Sequence, residues 1–355
     1  MSYCTSNENS SLHFRIILLM YYKNRIYSDK SGGSALFFDL DFWRGDGIVF
    51  DMQFTKPTLS IQQMIDLLKQ RDLIFDDEEK AKHYLLHIWY FRLSGYCKYY
   101  QDTTTDKFYS WVTFDQVISL YKFDRKLRLL MLSTIEKLEI SIKSIINTVM
   151  CKNHNPFRYI QENVFKEKLD KDWNNIAIKT LDIIKWKKSK SASMFVKAYN
   201  EKYVQEEHLP GWMLVEELTL WEISTIYSIL QDTDAKEIAM YYQTYVLDLE
   251  RRLQVLVNIR NISAHHSRLR NRKYTAKPRV NDVIFKHRYI IEKNENGWKE
   301  VVPNFYNVCL ILHYLLDTIA PNHHFIDQLQ ELFDEFPWVP LASMGFIIDW
   351  KEKIV

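Results

Sequence analysis

The chain has 355 residues, of which 47% are hydrophobic and 26% are charged, and its formal net charge is only +2 at pH 7. This hydrophobic fraction is ample for a large buried core, and 8 glycines with 8 prolines are too few for a turn-rich β architecture, so long helices are expected. The near-neutral charge balance excludes a protein that binds nucleic acid over its whole surface, and any such binding would need a local basic patch.

Residues 1–51 differ in texture from the rest of the chain. They hold the glycine-containing piece SGGS at Ser31 and show no sustained hydrophobic period, whereas a helical pattern begins abruptly at Met52. We therefore expect either a poorly ordered leader or a natural start at Met52, and a pair of strands is the less favoured alternative. SGGS lacks the lysine and the helix that a phosphate-binding loop requires.

Two helices are predicted in an N-terminal helical region, residues 52–110. The first begins after a capping residue, Ser60, and carries apolar residues at helical spacing. The second begins with the acidic run DDEE, which suits a helix N-terminus, and is expected to end near Gly95.

The best-patterned helix is predicted over Phe114 to Met150, at the start of a larger domain of residues 111–355. At about 100° per residue, its apolar side chains fall within about 60° of Leu127 and form one inward stripe. A polar strip on the other side is typical of a solvated face with weak ion pairs, and the alternative is that it lines a groove. The strip consists of Arg125, Arg128, Glu136, Glu139 and Lys143.

Further helices are predicted over about Ala235 to Asn261 and over Phe305 to Ile319, the latter as the final long helix, ended by Pro321. Between them, the piece VIFKHRYII at Val283 is predicted to form a strand or hairpin. The predicted fold class is therefore mainly α: a helical bundle with an N-terminal helical extension and a small irregular or β insertion.

The cysteines and the apolar runs indicate the cellular compartment of the protein. Cys4, Cys97, Cys151 and Cys309 are scattered and form no C-x-x-C pair. Neither a disulfide framework nor a cysteine zinc site is expected, and a reducing cytoplasm fits best. No apolar run approaches the roughly 20 residues that span a bilayer, so no membrane association is predicted.

An arginine interrupts the apolar stripe at the end of the helix predicted to reach Asn261. With Leu249 as reference, Leu253, Leu256 and Arg260 all fall within about 40° of it. Arg260 thus occupies a place where the pattern favours leucine. An arginine near a helix C-terminus can extend to solvent or bind the free carbonyls, and the equally weighted alternative is a charge placed for function.

Asn261 and His265 lie one turn apart, so the amide could orient the imidazole. Arg260 and His265 would be about 140° apart on an unbroken helix. One chain can bring both to one phosphate only if the helix ends or bends here. Otherwise two chains must each supply a copy, which favours a composite site in a homodimer.

A basic window surrounds these residues. From Arg251 to Asn281 there are nine Lys or Arg and no Asp or Glu. The functional interpretation is a phosphate-binding surface with an aromatic ring for base stacking, and the alternative is a basic solvated loop. The candidate RNA-binding residues in the window are Arg268, Arg270, Arg272, Lys273 and Tyr274.

Arginine, asparagine and histidine together suit RNA chemistry. A histidine near its ordinary pKa can accept or donate a proton at neutral pH. The 2′-hydroxyl of RNA is an internal nucleophile, so cleavage needs a base, an acid and a cation for the crowded phosphate, and no metal or other cofactor.

The segment RNISAHHSRLRNR resembles the hallmark of the Abi family of bacterial abortive-infection proteins, in the AbiD/AbiF-like group. The resemblance covers about residues 52–350, and further blocks follow in the family's order: YFRLSGYCKYY, LPGWMLVEELTLWEISTIY and MGFIIDW. This chain departs from the family pattern in having Ser263 for the usual cysteine, Arg270 for a tryptophan and Glu222 for a glycine.

The family is grouped with HEPN domains, so the resemblance implies a HEPN-like bundle whose R-x4–6-H motif forms a ribonuclease centre when two domains meet. The implied catalytic residues are Arg260, Asn261 and His265, with His266 as a second candidate. The resemblance also implies a role for Glu139 and Lys143 in a groove, with Glu139 supporting and with Arg125, Arg128 and Lys143 contacting RNA. A structured noncoding RNA is an implied partner.

Two function classes follow. The first is an anti-phage ribonuclease with an Arg/Asn/His centre, and the second is a non-catalytic protein that holds a structured RNA on the same surface. A metal hydrolase using His265 with His266, or His323 with His324, is disfavoured because adjacent histidines point to different sides of a helix and no partner at ligand spacing is apparent.

Overall fold

Thirteen α-helices and one two-stranded sheet form the described part of the chain in a computed structural model. The structure describes residues 58–152, 155–161, 163–272, 274–279 and 288–354. The predictions made for residues 1–51 lie outside these ranges. The chain is mainly helical, as the sequence predicts, with a small β element.

The elements follow one another along the chain with short connections. The N-terminal half holds α1 (Ile61–Gln70), α2 (Glu78–Ile88), α3 (Tyr90–Cys97), α4 (Phe114–Met150), α5 (Ile176–Lys190) and α6 (Met194–Lys202). The C-terminal half holds α7 (Gly211–Glu217), α8 (Leu220–Ile229), α9 (Asp232–Tyr241), α10 (Val246–Ala264), β1 (Ile291–Lys293), β2 (Lys299–Val301), α11 (Phe305–Ile319), α12 (Phe325–Glu335) and α13 (Trp350–Ile354).

The N-terminal helices begin as predicted but do not end as predicted. Ser60 and Gln63 cap α1 reciprocally, which confirms the predicted cap. The expected stop at Gly95 is wrong, because Trp89 takes a φ of 66° and separates α2 from α3 six residues earlier. Gly95 lies inside α3.

Helix α4 has the predicted bounds and is the centre of the bundle. Thr113 and Gln116 form a capping box at its start, and its apolar stripe, including Leu127 and Leu138, is buried. Helices α3, α7, α8, α9, α10, α11 and α12 all pack against it. Within the polar strip, Arg125 and Glu136 are exposed, Glu139 and Lys143 are half-buried, and Arg128 is buried.

The single helix predicted over Ala235 to Asn261 is two helices, α9 and α10. Gln243 takes a φ of 49°, and the backbone N–H of Thr244 returns to the carbonyl of Ala239, 3.1 Å away. This is the hydrogen-bonding pattern that ends a helix with a left-handed residue. Glycine usually fills that place, and glutamine gives no sequence signal for it.

The C-terminal part contains the hairpin and three helices. Strands β1 and β2 pair antiparallel, with Ile291 opposite Val301. Most of the segment predicted as a strand or hairpin from Val283 onward lies outside the described residues. Helix α11 has the predicted bounds, and two shorter helices, α12 and α13, follow it. Pro321 ends one helix without ending the bundle.

One hydrophobic core runs through this part of the chain, from Met64 in α1 to Ile354 in α13. The division at residue 110 stays a prediction. Among the described residues, no helix combines the length and the apolar character needed to cross a bilayer.

Candidate functional site

The Arg/Asn/His motif lies at the C-terminal end of α10. The helix ends at Ala264, yet the backbone N–H of His265 still bonds the carbonyl of Asn261 at 3.0 Å, so His265 keeps the helical register. His266 takes a φ of 55°, in the left-handed region, and the N–H of Ser267 then turns back to the helix. This arrangement is the Schellman motif with histidine where glycine is usual.

The four motif side chains lie at the surface of the bundle. Arg260 and Asn261 are half-buried, and the Arg260 Nη1 lies 3.5 Å from the Asn261 Oδ1. His265 and His266 are exposed. The amide oxygen therefore faces the guanidinium within its own chain, while both imidazoles are open to solvent.

A buried carboxylate holds the chain that follows the motif. Asp124 of α4 is fully buried and accepts the backbone N–H groups of Leu269 at 3.2 Å and Arg270 at 2.7 Å. The Tyr96 hydroxyl donates to it at 2.7 Å, and the Arg128 guanidinium forms a buried ion pair with it. Backbone N–H groups and a cation thus satisfy this charge in the interior.

A second set of contacts joins the same segment to α3. The Arg92 Nη1 donates to the carbonyl of His266 at 2.7 Å, and the Arg268 guanidinium donates to the carbonyl of Gly95. Both donors are charged, so these hydrogen bonds are stronger than neutral ones. They hold the backbone at His266 and the segment that follows it against α3.

Three of the predicted RNA-binding residues are buried. Arg128 pairs with Asp124, and Arg270 lies with its guanidinium carbon 4.1 Å from the centre of the Tyr99 ring. The hydroxyl of Tyr274 donates to a backbone carbonyl at 2.8 Å, and its ring is 4% exposed. Burial lowers the pKa of Arg270 and raises the pKa of Tyr274 well above its ordinary value. These three side chains pack within the fold, and their assignment to RNA contact stays a prediction.

The remaining predicted RNA-binding residues are placed differently. Arg125 and Arg272 are exposed, and Arg268 is half-buried. Lys273 lies outside the described residues. Glu139 and Lys143 pair with each other, with 3.4 Å between Oε1 and Nζ, and both side chains are less than one fifth exposed. The structure thus separates a few exposed cations from a larger buried polar set.

Asp124 and Arg92 were not singled out from the sequence, although a signal existed for the first. Asp124 lies only about 60° from Leu127 around α4, on the apolar stripe. The same argument drew attention to Arg260 on α10. An acid on a buried stripe, four residues before an arginine, is a sign of an internal ion pair.

The histidine pair His323 and His324 separates as expected for adjacent residues. His324 is exposed near Asp327, whereas His323 contacts His313 and Asp317 of α11. The sequence prediction of no ligand partner missed this contact, because the partners come from the preceding helix.

Replacing His266 with glycine is expected to raise the free energy of unfolding by about 1 kcal/mol, since glycine adopts the left-handed conformation without the steric cost that a side chain carries. Urea denaturation of the two proteins measures the difference. A matched Ser267→Gly variant, one residue further on, is expected to lose stability instead. If His266→Gly is the less stable protein, the imidazole itself makes the larger contribution to the fold.

Comparison with known proteins identifies the family of the chain. Residues 83–271, more than half of the chain, match the family described as Abi-like protein. No curated protein and no solved structure matches the chain. The matched residues run from α2 through α10 and include Asp124, Arg260 and both exposed histidines. The chain therefore belongs to the Abi-like protein family, whose association is with abortive infection, a defence against phage.

Proposed function

We propose that this Abi-like protein is a metal-independent ribonuclease of the HEPN type, which cuts host or phage RNA in the cytoplasm and so halts phage propagation. The observation that carries the proposal is the position of Arg260, Asn261 and His265. They lie at the surface end of a helix whose other face is buried, and charged hydrogen bonds to α3 hold the chain that follows them.

Each side chain has a role that its chemistry supports. His265 accepts the proton of the 2′-hydroxyl or donates one to the leaving 5′-oxygen, and His266 is the second candidate for these steps. Arg260 binds the phosphate and stabilises the charge that develops on it. Asn261, whose amide oxygen faces Arg260, holds the guanidinium in position. The products would be a 2′,3′-cyclic phosphate and a free 5′-hydroxyl.

Exposed cations supply the affinity for RNA in this proposal. Arg272 and Arg125 are exposed, and no acidic residue occurs between Arg251 and Asn281. Phosphate contacts of this kind weaken as salt concentration rises.

The helical register favours a site shared by two chains. Because His265 continues the helix, it stays about 140° around the axis from Arg260. The two side chains of one α10 helix therefore point to different sides. In a symmetric homodimer, Arg260 of one chain and His265 of the other can face the same phosphate.

Cleavage of matched RNA and 2′-deoxy substrates tests the reaction. RNA is expected to be cut in the presence of EDTA, and the same sequence with 2′-deoxyribose at every position is expected to stay intact, because the nucleophile is missing. Mass spectrometry of the RNA products should find the cyclic phosphate. Cleavage of the deoxy substrate would contradict the mechanism.

The same purified protein distinguishes the ribonuclease from the second candidate function, an RNA-binding protein. Holding a structured RNA without cutting it is supported by the exposed cations alone and predicts tight binding with no products. In that case the binding constant should fall steeply with salt, by a log–log slope of about −0.7 to −0.9 for each phosphate contact. Salt-dependent binding without cleavage would replace the ribonuclease by the binding protein, and a flat salt response would count against both.

Mixing two inactive variants tests the shared site. Arg260→Ala and His265→Ala chains, coexpressed, are expected to recover roughly a quarter of wild-type cleavage, because half of the dimers are mixed and one of their two sites is intact. Each variant coexpressed with an empty vector is the control. No recovery, with mixed dimers shown to form, would contradict a site that pairs one arginine with one histidine across the dimer.

A further inference from the structure

Two histidines and an aspartate form a cluster at the C-terminal end of α11, outside the residues that match the Abi-like family. His313 Nδ1 lies 3.3 Å from His323 Nε2, and His323 Nε2 lies 2.9 Å from Asp317 Oδ1. The other nitrogen of His313 lies 3.3 Å from the second oxygen of Asp317. One ligand atom from each residue can be chosen so that all lie within 4.8 Å of one another.

The fold places these side chains together for a simple reason. His313 and Asp317 are four residues apart on α11 and share one face. The chain then leaves the helix at Ala320 and returns, so that His323 meets that face just before α12 begins. The side chains of His323 and His313 are only 4% and 12% exposed, whereas Asp317 is half exposed and opens the cluster to solvent.

The spacing is that of ligands around one metal ion. Zinc holds imidazole nitrogens at about 2.0–2.1 Å in a tetrahedron, which places neighbouring ligand atoms roughly 3.3 Å apart. The His313–His323 and His323–Asp317 distances are close to this value. Two imidazole nitrogens and a carboxylate oxygen are also a donor set that divalent ions of the zinc group accept.

We propose that His313, Asp317 and His323 bind a divalent transition metal of the zinc class and supply three positions of a tetrahedral site. The backbone N–H of Phe325 donates to His323 Nδ1 at 3.2 Å, so His323 Nε2 carries the proton that it shares with Asp317. The metal would replace that proton. Loading the site joins the end of α11 to the residues that begin α12. The role that we assign to the metal is to brace this connection, and it is independent of the proposed RNA chemistry.

Zinc titration of the full chain tests the site. The protein, freed of any histidine tag and of metal by EDTA and dialysis, is titrated with Zn²⁺ by calorimetry, and its melting temperature is followed with and without Zn²⁺. One ion per chain and a saturable rise in melting temperature are expected, because the metal binds the folded state. Asp317→Asn and His323→Gln are each expected to weaken binding at least about tenfold.

The neighbouring histidine provides the matched control. His324 is 77% exposed and lies beside Asp327, so His324→Ala should leave the affinity for Zn²⁺ unchanged. Circular dichroism of the metal-free variants identifies any that fail to fold, and the exposed position of Asp317 makes Asp317→Asn the decisive one. Absence of stoichiometric binding, or equal binding by Asp317→Asn, would overturn the proposal and leave a proton-sharing cluster. Neither measurement involves RNA cleavage, so the metal site can be contradicted without contradicting the proposed ribonuclease, and the reverse also holds.

Discussion

Replacing Arg260 or His265 with alanine is expected to reduce RNA cleavage by at least about 10²-fold while the chain still folds. The same change should abolish the growth arrest that RNA cleavage causes in cells expressing the protein. A positioned acid or base contributes about 10²–10⁴-fold to such a reaction, and the cation at the phosphate stabilises the same transition state. His265 is exposed and Arg260 is half-buried beside Asn261, so neither truncation empties the core. Cleavage rates of purified protein and survival of expressing cells measure the two effects.

Two further variants make this result specific. His324→Ala removes an exposed histidine outside the motif and should cleave RNA at the wild-type rate. Arg260→Lys keeps the positive charge but loses the paired N–H donors of the guanidinium, so only partial activity should return. If the Arg260→Ala and His265→Ala proteins both remain fully toxic and melt normally, the proposed centre is wrong.

Asp124→Ala is expected to destabilise the protein by about 3–5 kcal/mol, the cost typical of breaking a buried ion pair by removing one partner. The substitution leaves Arg128 charged and 4% exposed, and it removes the acceptor of the Leu269 and Arg270 backbone N–H groups. Adding Arg128→Met should recover part of the loss, because the uncompensated cation is then gone. Urea denaturation measures each protein.

A surface ion pair gives the control for this prediction. Glu335 pairs with Lys126 in solvent, with both side chains about half exposed, so Glu335→Gln should change the free energy of unfolding by less than about 1 kcal/mol. If Asp124→Ala costs no more than Glu335→Gln, the buried carboxylate does not hold the segment after α10.

Helices with local signals could be predicted from the sequence, and the breaks between them could not. The bounds of α4 and α11 follow from caps and periodicity that lie within the helix or next to it. Trp89 and Gln243 follow helix ends with positive φ values of 66° and 49°, which normally indicate glycine or asparagine. Tertiary packing selects these conformations, so no short-range sequence pattern predicts them.

The site divides in the same way. Arg260 was found because it breaks an apolar stripe, and the structure places it at the surface beside Asn261. Arg270 was assigned to RNA because it is a cation in a basic window, yet it packs on Tyr99 in the interior. Composition alone cannot tell an exposed arginine from a buried one when the partner is about 170 residues away in the chain.

The contacts of Asp124 also bear on synthesis of the protein. Its backbone partners lie 145 and 146 residues further along the chain, so synthesis must pass Arg270 before these hydrogen bonds can form. A product terminated before Leu269 keeps the Tyr96 and Arg128 partners of that carboxylate but lacks its two backbone donors. Translation products of this defence protein that end before Leu269 should therefore fold poorly and be inactive.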